Sequence, residues 1–441
     1  MADSFRIDGS VFNVHRSLQP LIIEALADTR VVGVVGPRQA GKSTLVQRIV
    51  GDSPNGVYVS LDDRDARVAA AADPRGFLMG RPGLLAIDEV QRVPELLIAL
   101  KAAVDTDERP GRFLVTGSSQ LSANRGVSET LAGRIERFEL WPLSQSELAV
   151  AGAVGAGVVG AGAVGSADTF LDRLLGGELP LDQVGKLTKH DYLDRAVAGG
   201  YPEAVRRSGA RRAAWFDAYV ETVVEREAPG VSASPRTAEL PRLLRLVAAR
   251  HASLLNVADL ARDAGLPERT VHRYLEVLEA VFLVRRCPAW AVNLSQREIR
   301  ASKVFVTDPG LAAHLRGADI TSLTRPELSH GADGPVLEGM VYAELLRQSG
   351  WSAVRPSLFH YQDRAGAEID LIVEDRSLRV VAIEVKAAAD VSTRDIRHLA
   401  AVRDRLGDRF VAGLVLHTGA RAFSLGDRLA AVPVSALWAP K

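Results

Sequence analysis

The sequence predicts an α/β protein of several domains, and three stretches carry that expectation. VVGVVGPRQAGKSTLVQRIV, 31–50, reads as an apolar strand, a glycine-containing loop and the start of an amphipathic helix. GLLAIDEVQRVP, 83–94, reads as a second apolar strand closed by two acids. AEIDLIVEDRSLRVVAIEVKA, 367–387, reads as a hairpin whose second strand alternates apolar residues with Glu384 and Lys386. A chain of 441 residues has room for about three domains at ~150 residues each.

Composition narrows the class without naming a partner. Lys and Arg number 54, as do Asp and Glu, so net charge points to neither nucleic acid nor an acidic surface. Cys287 is the only cysteine, which excludes an internal disulfide and a multi-cysteine zinc site and fits a reducing cytoplasm. The first residues, MADSFRIDGSVF, lack the basic, apolar and small-residue order of a secretion signal. LAVAGAVGAGVVGAGAVGSA, 148–167, has the length of a membrane span. It is only weakly apolar, lacks flanking aromatic belts and is bordered by Glu147 and Asp168, so it reads as a flexible Ala/Gly-rich insertion.

The loop at 36–43 matches G-x-x-x-x-G-K-[ST]. Gly36, Pro37, Arg38, Gln39, Ala40 and Gly41 would curl their N–H groups around phosphate oxygens, and Lys42, Ser43 and Thr44 would open the helix behind them. Lys42 would reach the β- and γ-phosphates of ATP, and the Ser43 hydroxyl would ligate Mg²⁺. Asp88, ending the second strand, would hold the same metal, and Glu89 would polarise an attacking water. RFLVTGSSQ, 112–120, ends a third strand with Ser118 and Ser119, small hydroxyls for the γ-phosphate or that water. Arg134 lies between a helix and the next strand; it is either a surface arginine or a group that stabilises charge on a neighbouring subunit's nucleotide.

GPRQAGKSTL, LLAIDEVQ, FLVTGSSQ and LAGRIERFELWPLS, in that order, resemble the AAA+ superfamily. With AGGYPEAV, DPGLAAHL, EIDLIV and IEVKA further on, nearly the whole chain resembles a prokaryotic branch of AAA-type ATPases with an accessory C-terminal domain of unknown function. The resemblance implies an ATPase core at 1–147, a helical lid over the nucleotide at 168–238, a winged helix at 239–308 and a nuclease-like domain at 309–441; the Ala/Gly tract within 148–167 is not part of that pattern and is taken as an insertion or linker. It also implies a homo-oligomer, in which Arg134 would find its neighbour.

NVADLARDAGLPERTVHRYLEVLEAVFLVRRC, 256–287, has helix–turn–helix spacing: a helix, Gly265, then Pro267 opening a second helix. Val271, Tyr274, Leu275 and Leu278 would face a core, leaving Arg269, Thr270, His272 and Arg273 outward as candidate DNA contacts. VFLVRRC and KVFVTD would be wing strands. Over 241–303 there are eleven Lys and Arg against six Asp and Glu, which suits phosphate contact, although such modules also serve as protein–protein joints.

In the final third, LEGMVYAELLRQSG, 337–350, is a helix carrying Glu338. Asp370 and Glu384 would meet across the hairpin beside Lys386, two carboxylates for a hard divalent cation and a lysine for a water. Glu368 is assigned to the opposite face. The order Glu338, Asp370, Glu384-x-Lys386 resembles the PD-(D/E)XK nuclease superfamily, with Ile369 where that pattern has proline. By resemblance Asp370 and Glu384 are metal ligands, Lys386 the catalytic base or a stabiliser of the transition state, and Glu338 a supporting acid. The same residues also suit a satisfied ionic network. Two functions stay open: an ATP-dependent, metal-assisted nuclease, or an ATP-dependent switch that binds DNA or a partner protein without cutting.

Overall fold

The computed structural model describes residues 14–79, 82–117, 131–155, 169–231, 239–293, 295, 297, 300–363 and 366–439. Ser118 and Ser119 therefore lie outside the described residues.

Strands buried at every position belong to parallel sheets covered on both faces. That is the pattern of β1 (Val31–Val35), β3 (Leu85–Asp88) and β4 (Phe113–Gly117). With β2 (Val57–Ser60) and β5 (Ile135–Glu139) they form a five-stranded parallel sheet in the order β2-β3-β4-β1-β5. Val32 and Val34 face Ile22, Leu45 and Ile49 of helices Gln19–Asp28 and Lys42–Gly51. Val31 and Val35 face Leu96, Leu97 and Leu100 of helix Glu95–Thr106. The order puts β4 between the strand that leads into the glycine loop and the strand that ends in Asp88.

Helix Gln145–Gly155 runs into the Ala/Gly tract read as a flexible insertion, so its first part is helical. Ser144 and Glu147 start it with reciprocal bonds, Ser144 N–H to Glu147 Oε2 at 3.0 Å and Glu147 N–H to Ser144 Oγ at 3.0 Å. Alanine's helix propensity sustains it. Among the described residues no helix is long and apolar enough to cross a membrane.

Of the segment expected as a lid, helices Phe170–Leu175 and Lys189–Ala198 pack against the last third. Leu171, Leu174, Tyr192 and Leu193 pack with Leu371 and Ile383 of the last third. The short helix Pro202–Val205 and helix Gly209–Thr222 follow. Helices Leu240–Ala249, Val257–Ala264 and Glu268–Ala280 then pack on a three-stranded antiparallel sheet. It is formed by β6 (Ser253–Leu254), β7 (Val284–Cys287) and β8 (Lys303–Val306), ordered β6-β8-β7. Gly265, φ +68°, makes the turn between the second and third of these helices, and Val271, Tyr274, Leu275 and Leu278 are buried as their spacing predicts. Helix Pro309–Leu315 is capped by Asp308.

The last third is a six-stranded mixed sheet. Its strands are β9 (Ser357–Gln362), β10 (Glu368–Glu374), β11 (Val380–Lys386), β12 (Phe410–His417), β13 (Phe423–Gly426) and β14 (Leu429–Pro433), ordered β13-β14-β12-β11-β10-β9. Helix Asp333–Ser349 covers the face carrying Leu371, Val381 and Ile383, and helix Arg397–Leu406 the face carrying Ile372, Ala382 and Val415. The β10–β11 register pairs Leu371 with Ile383, so Asp370 and Glu384 stand opposite one another one step further on.

Candidate functional site

The geometry of a phosphate site begins where β1 stops. Gly36 turns the chain at φ +151°, and a Cβ there would lie 2.2 Å from the Leu140 carbonyl oxygen, so only glycine fits. Gly41, φ +98°, precedes the helix, whose first N–H groups and positive end face the loop. Lys42 is buried, and its Nζ donates to the carbonyl oxygens of Gly36 and Pro37, each at 2.9 Å. Arg38, Gln39, Gly41, Lys42, Ser43 and Thr44 line a cavity of about 390 Å³ together with Glu89. Small-ligand pockets span ~300–1,000 Å³.

Asp88 is the centre of the polar cluster beneath the loop. Its Oδ2 accepts from Ser43 Oγ at 2.9 Å and Tyr58 OH at 2.8 Å, and its Oδ1 accepts from Thr116 Oγ1. Burial, then the bond to Asp88, pushes the Tyr58 phenol up to about 12, so it stays a donor. Thr116 in turn accepts from the Glu89 N–H at 3.1 Å. Glu89 sits at φ +58°, a left-handed conformation that costs a non-glycine residue about 1–3 kcal/mol. Its carboxylate is held by Gln91 Nε2. A hydroxyl and a carboxylate converging at Ser43 and Asp88 form a donor set of hard oxygens that fits Mg²⁺.

Sequence reasoning missed four residues here. Tyr58 lies in β2 and Thr116 in β4, the strands on either side of β3, a position readable once the strand order is known. Arg16 is buried and binds the loop itself, Nη1 donating to Ala40 O at 2.7 Å. Glu203, with Pro202, brings the short helix after Gly200 to the cavity wall. Arg134 immediately precedes β5, its carbonyl accepting the Val31 N–H at the opposite end of β1 from the loop, and its side chain pairs with Asp105. It does not reach its own cavity.

A second cluster occupies the last third, and its centre is a lysine that the sequence reading did not name. Lys303, the first residue of β8, is 1% exposed. Its ammonium lies 2.9 Å from Glu338, 2.9 Å from Glu368 and 3.0 Å from Asp370. Burial opposes the charge, but the three carboxylates outweigh it and hold the lysine above its ordinary pKa. Asp370 also accepts the Val385 N–H at 2.9 Å, and Glu384 is bound by Lys386 Nζ at 2.8 Å.

This geometry bears on four assignments. Asp370 and Glu384 stand opposite one another as the hairpin register requires, Asp370 paired with Lys303 and Glu384 with Lys386, and among the described residues there is no group of three or more His, Cys, Asp or Glu that could hold a metal. Glu338 is paired with Lys303. Lys386 is paired with Glu384 and lies 3.7 Å from Asp395; burial opposes its charge, but the neighbouring carboxylates outweigh it and raise its pKa, which keeps it a cation. Glu368 shares a face with Asp370, as residues two apart must.

Burial, reinforced by the Asp370 charge, raises the Glu384 carboxyl from 4.5 to about 7. The folded chain thus holds this proton more tightly than the unfolded one, and the resulting stability is lost as pH rises from about 4.5 through 7. Glu384→Gln keeps an uncharged side chain at every pH. The melting temperature of the variant relative to wild type is therefore expected to rise steadily between pH 5 and pH 8, and a flat difference across that range would refute the shift.

The exposed face of helix Glu268–Ala280 carries Arg269, His272 and Arg273, while Thr270 is half-buried. The expected wing strands form β7 and β8, and the segment joining them is docked on the last sheet. Trp290 is fully buried with Nε1 donating to Glu374 at 2.8 Å, and Arg297 pairs with the same carboxylate at 2.7 Å.

Proteins of Mycobacterium tuberculosis (strain H37Rv) and Mycobacterium bovis (strain AF2122/97), both described as uncharacterized, are each 33% identical over 414 residues, spanning 93% of this chain and 81% of theirs. The chain belongs to their family. Within it, residues 28–149 match the model of the AAA domain, residues 189–322 a domain of unknown function (DUF8612) and residues 333–437 a second (DUF4143). The AAA match covers the whole glycine loop and the Asp88 cluster. Two solved structures also align. One is RuvB of Thermotoga maritima, 17% identical over 61% of this chain and 87% of that one, with a TM-score of 0.25. The other is AMPPCP-bound DnaA of Aquifex aeolicus, 13% identical over 63% and 92%, with a TM-score of 0.29. Likeness at that level carries no weight for fold or activity.

Proposed function

We propose that this protein is an ATP-dependent switch: a homo-oligomeric ATPase whose nucleotide state governs how its C-terminal half holds DNA or a partner protein, without cutting nucleic acid. The loop, the helix N-terminus and Lys42 bind the phosphates of ATP. Glu89 orients the attacking water and takes its proton as the oxygen bonds to the γ-phosphorus and ADP leaves. Ser43 and Asp88 would hold Mg²⁺, which neutralises phosphate charge. Arg134 would act on the nucleotide of a neighbouring copy, since it lies far from its own.

One observation carries the choice of a switch over a nuclease: the ammonium of Lys303 already fills the cation position among Glu338, Glu368 and Asp370. A winged-helix-like unit contributes that lysine, and its basic helix face with Arg269, His272 and Arg273 is the part that suits DNA. The PD-(D/E)XK-like sheet then acts as a binding scaffold, as folds of one lineage often carry other work.

The test is incubation of supercoiled and linear DNA with Mg²⁺ or Mn²⁺, with and without ATP, using wild type, Lys42→Ala and Asp370→Ala. DNA is expected to stay intact in every lane while wild type, and not Lys42→Ala, turns over ATP. Cleavage by wild type that disappears in Asp370→Ala would overturn the switch and restore the nuclease.

A further inference from the structure

We infer that Arg16, Glu147 and Glu344 form a buried relay that reports occupancy of the nucleotide cavity to helix Asp333–Ser349 of the C-terminal domain. This rests on the cavity being the ATP site.

The relay starts in the loop. Arg16 uses all three guanidinium nitrogens on fixed acceptors. Nη1 donates to Ala40 O at 2.7 Å, Nη2 to Trp141 O at 2.5 Å and Nε to Glu147 Oε1 at 3.1 Å. It also borders the cavity, so a phosphate chain that reshapes the loop must move Ala40 against this guanidinium. Glu147 passes the contact to Ser144, whose Oγ lies 2.8 Å from Ser146 Oγ. Ser146 Oγ and the Gln145 N–H then donate to Glu344, at 3.2 and 2.6 Å. Glu344 is fully buried on the C-terminal helix, 199 residues away in sequence from Gln145.

A second route closes the circuit. One turn along the same helix, Arg347 donates to Asp308 Oδ2 at 3.2 Å, which also accepts the Gly200 N–H at 2.7 Å. Gly200 O accepts from Leu143 N–H at 2.7 Å, and Leu143 and Pro202 are cavity wall. There is no slack at this joint. A Cβ on Gly199 would lie 2.3 Å from Asp308 Oδ1, and one on Gly200 2.2 Å from the Leu143 carbonyl oxygen. Close-packed interiors pass displacement on rather than absorb it.

An apolar interface would hold these domains together at lower desolvation cost. Glu344 is the sharpest example. The hydrogen bonds found to its carboxylate come from uncharged donors, Gln145, Ser146 and Gln348, and burial raises its pKa. Such a group depends on the geometry of its donors, and two of the three belong to the segment that leads away from the cavity.

The test compares hydrogen exchange of wild type, Glu344→Gln and Ser146→Ala, with and without ATPγS and Mg²⁺, alongside ATPγS affinity. In Glu344→Gln the new amide nitrogen must face an N–H or hydroxyl donor, which breaks one end of the relay. Ser146→Ala removes only the hydroxyl link and keeps a folded control if the first variant is unstable. Wild type is expected to gain protection in helix Asp333–Ser349 on binding ATPγS. Both variants should bind ATPγS within about threefold of wild type yet lose that gain by about tenfold, a typical coupling between sites. Wild type that binds ATPγS with no change in this helix, or variants that keep the full response, would overturn the relay while leaving the ATP site standing. A wild type that binds no ATPγS would overturn both.

Discussion

Lys42→Ala is expected to lower affinity for ATP by about 10–100-fold, the worth of one or two charge-assisted hydrogen bonds at ~1.5–3 kcal/mol. Hydrolysis should fall further, by about 10²–10³-fold, because the ammonium meets charge that grows as the γ-phosphoryl group transfers. The fold should survive. Lys42 gives up two bonds to loop carbonyls, and the helix behind it is anchored by Leu45, Val46 and Ile49 in the core. The two effects separate in a melting experiment. ATP with Mg²⁺ at about a hundred times its Kd should stabilise wild type by ~2.7 kcal/mol, whereas the variant without ligand should melt near wild type and gain little from ATP. A variant that still gains the full shift would place the nucleotide elsewhere. One that melts far lower without ligand would make Lys42 structural.

The parts of this molecule that were legible in the sequence are those with a local signature. The glycine loop needs glycine at Gly36 and Gly41 for its backbone, and Asp88 and Glu89 follow an apolar strand, so short windows suffice. The buried positions of helix Glu268–Ala280 follow from their period. The pairing of Asp370 with Glu384 follows from hairpin register. What could not be read are contacts between segments far apart in sequence, which leave no period. Lys303 reaches Asp370 across 67 positions and Arg16 reaches Glu147 across 131. The only local sign of Lys303 is a lysine opening the apolar run KVFV, the same oddity as the glutamate and lysine in AIEVKA. Each is a charge in a buried strand, and a buried charge requires a partner. The loop between the two expected wing strands left no such sign: Trp290 and Arg297 meet Glu374 across 84 and 77 positions.

Lys303→Met is the substitution with the largest expected cost to stability. It removes the cation from three carboxylates held within 3.0 Å of it. Breaking a buried ion pair by removing one partner costs ~3–5 kcal/mol, because the remaining charge is left uncompensated. The carboxylates have an escape, which is to take up protons. Burial and the Asp370 charge already raise Glu338 from 4.5 to about 8 although the lysine lowers it, so loss of the lysine raises it further. The folded variant then binds more protons than the unfolded chain over a wider range, so its deficit should be small near pH 5 and largest above pH 8. Urea denaturation at the two pH values measures this directly. The same variant decides what the cluster is for. In wild type, Mn²⁺ should leave the urea midpoint unchanged, since a lysine holds the position. In Lys303→Met at pH 8, Mn²⁺ should recover part of the lost stability, and further loss of Asp370 should abolish that recovery. If instead Mn²⁺ stabilises wild type through Asp370, the lysine yields to a metal in the native protein, and the C-terminal domain is a working cation site rather than a scaffold closed by its own ammonium.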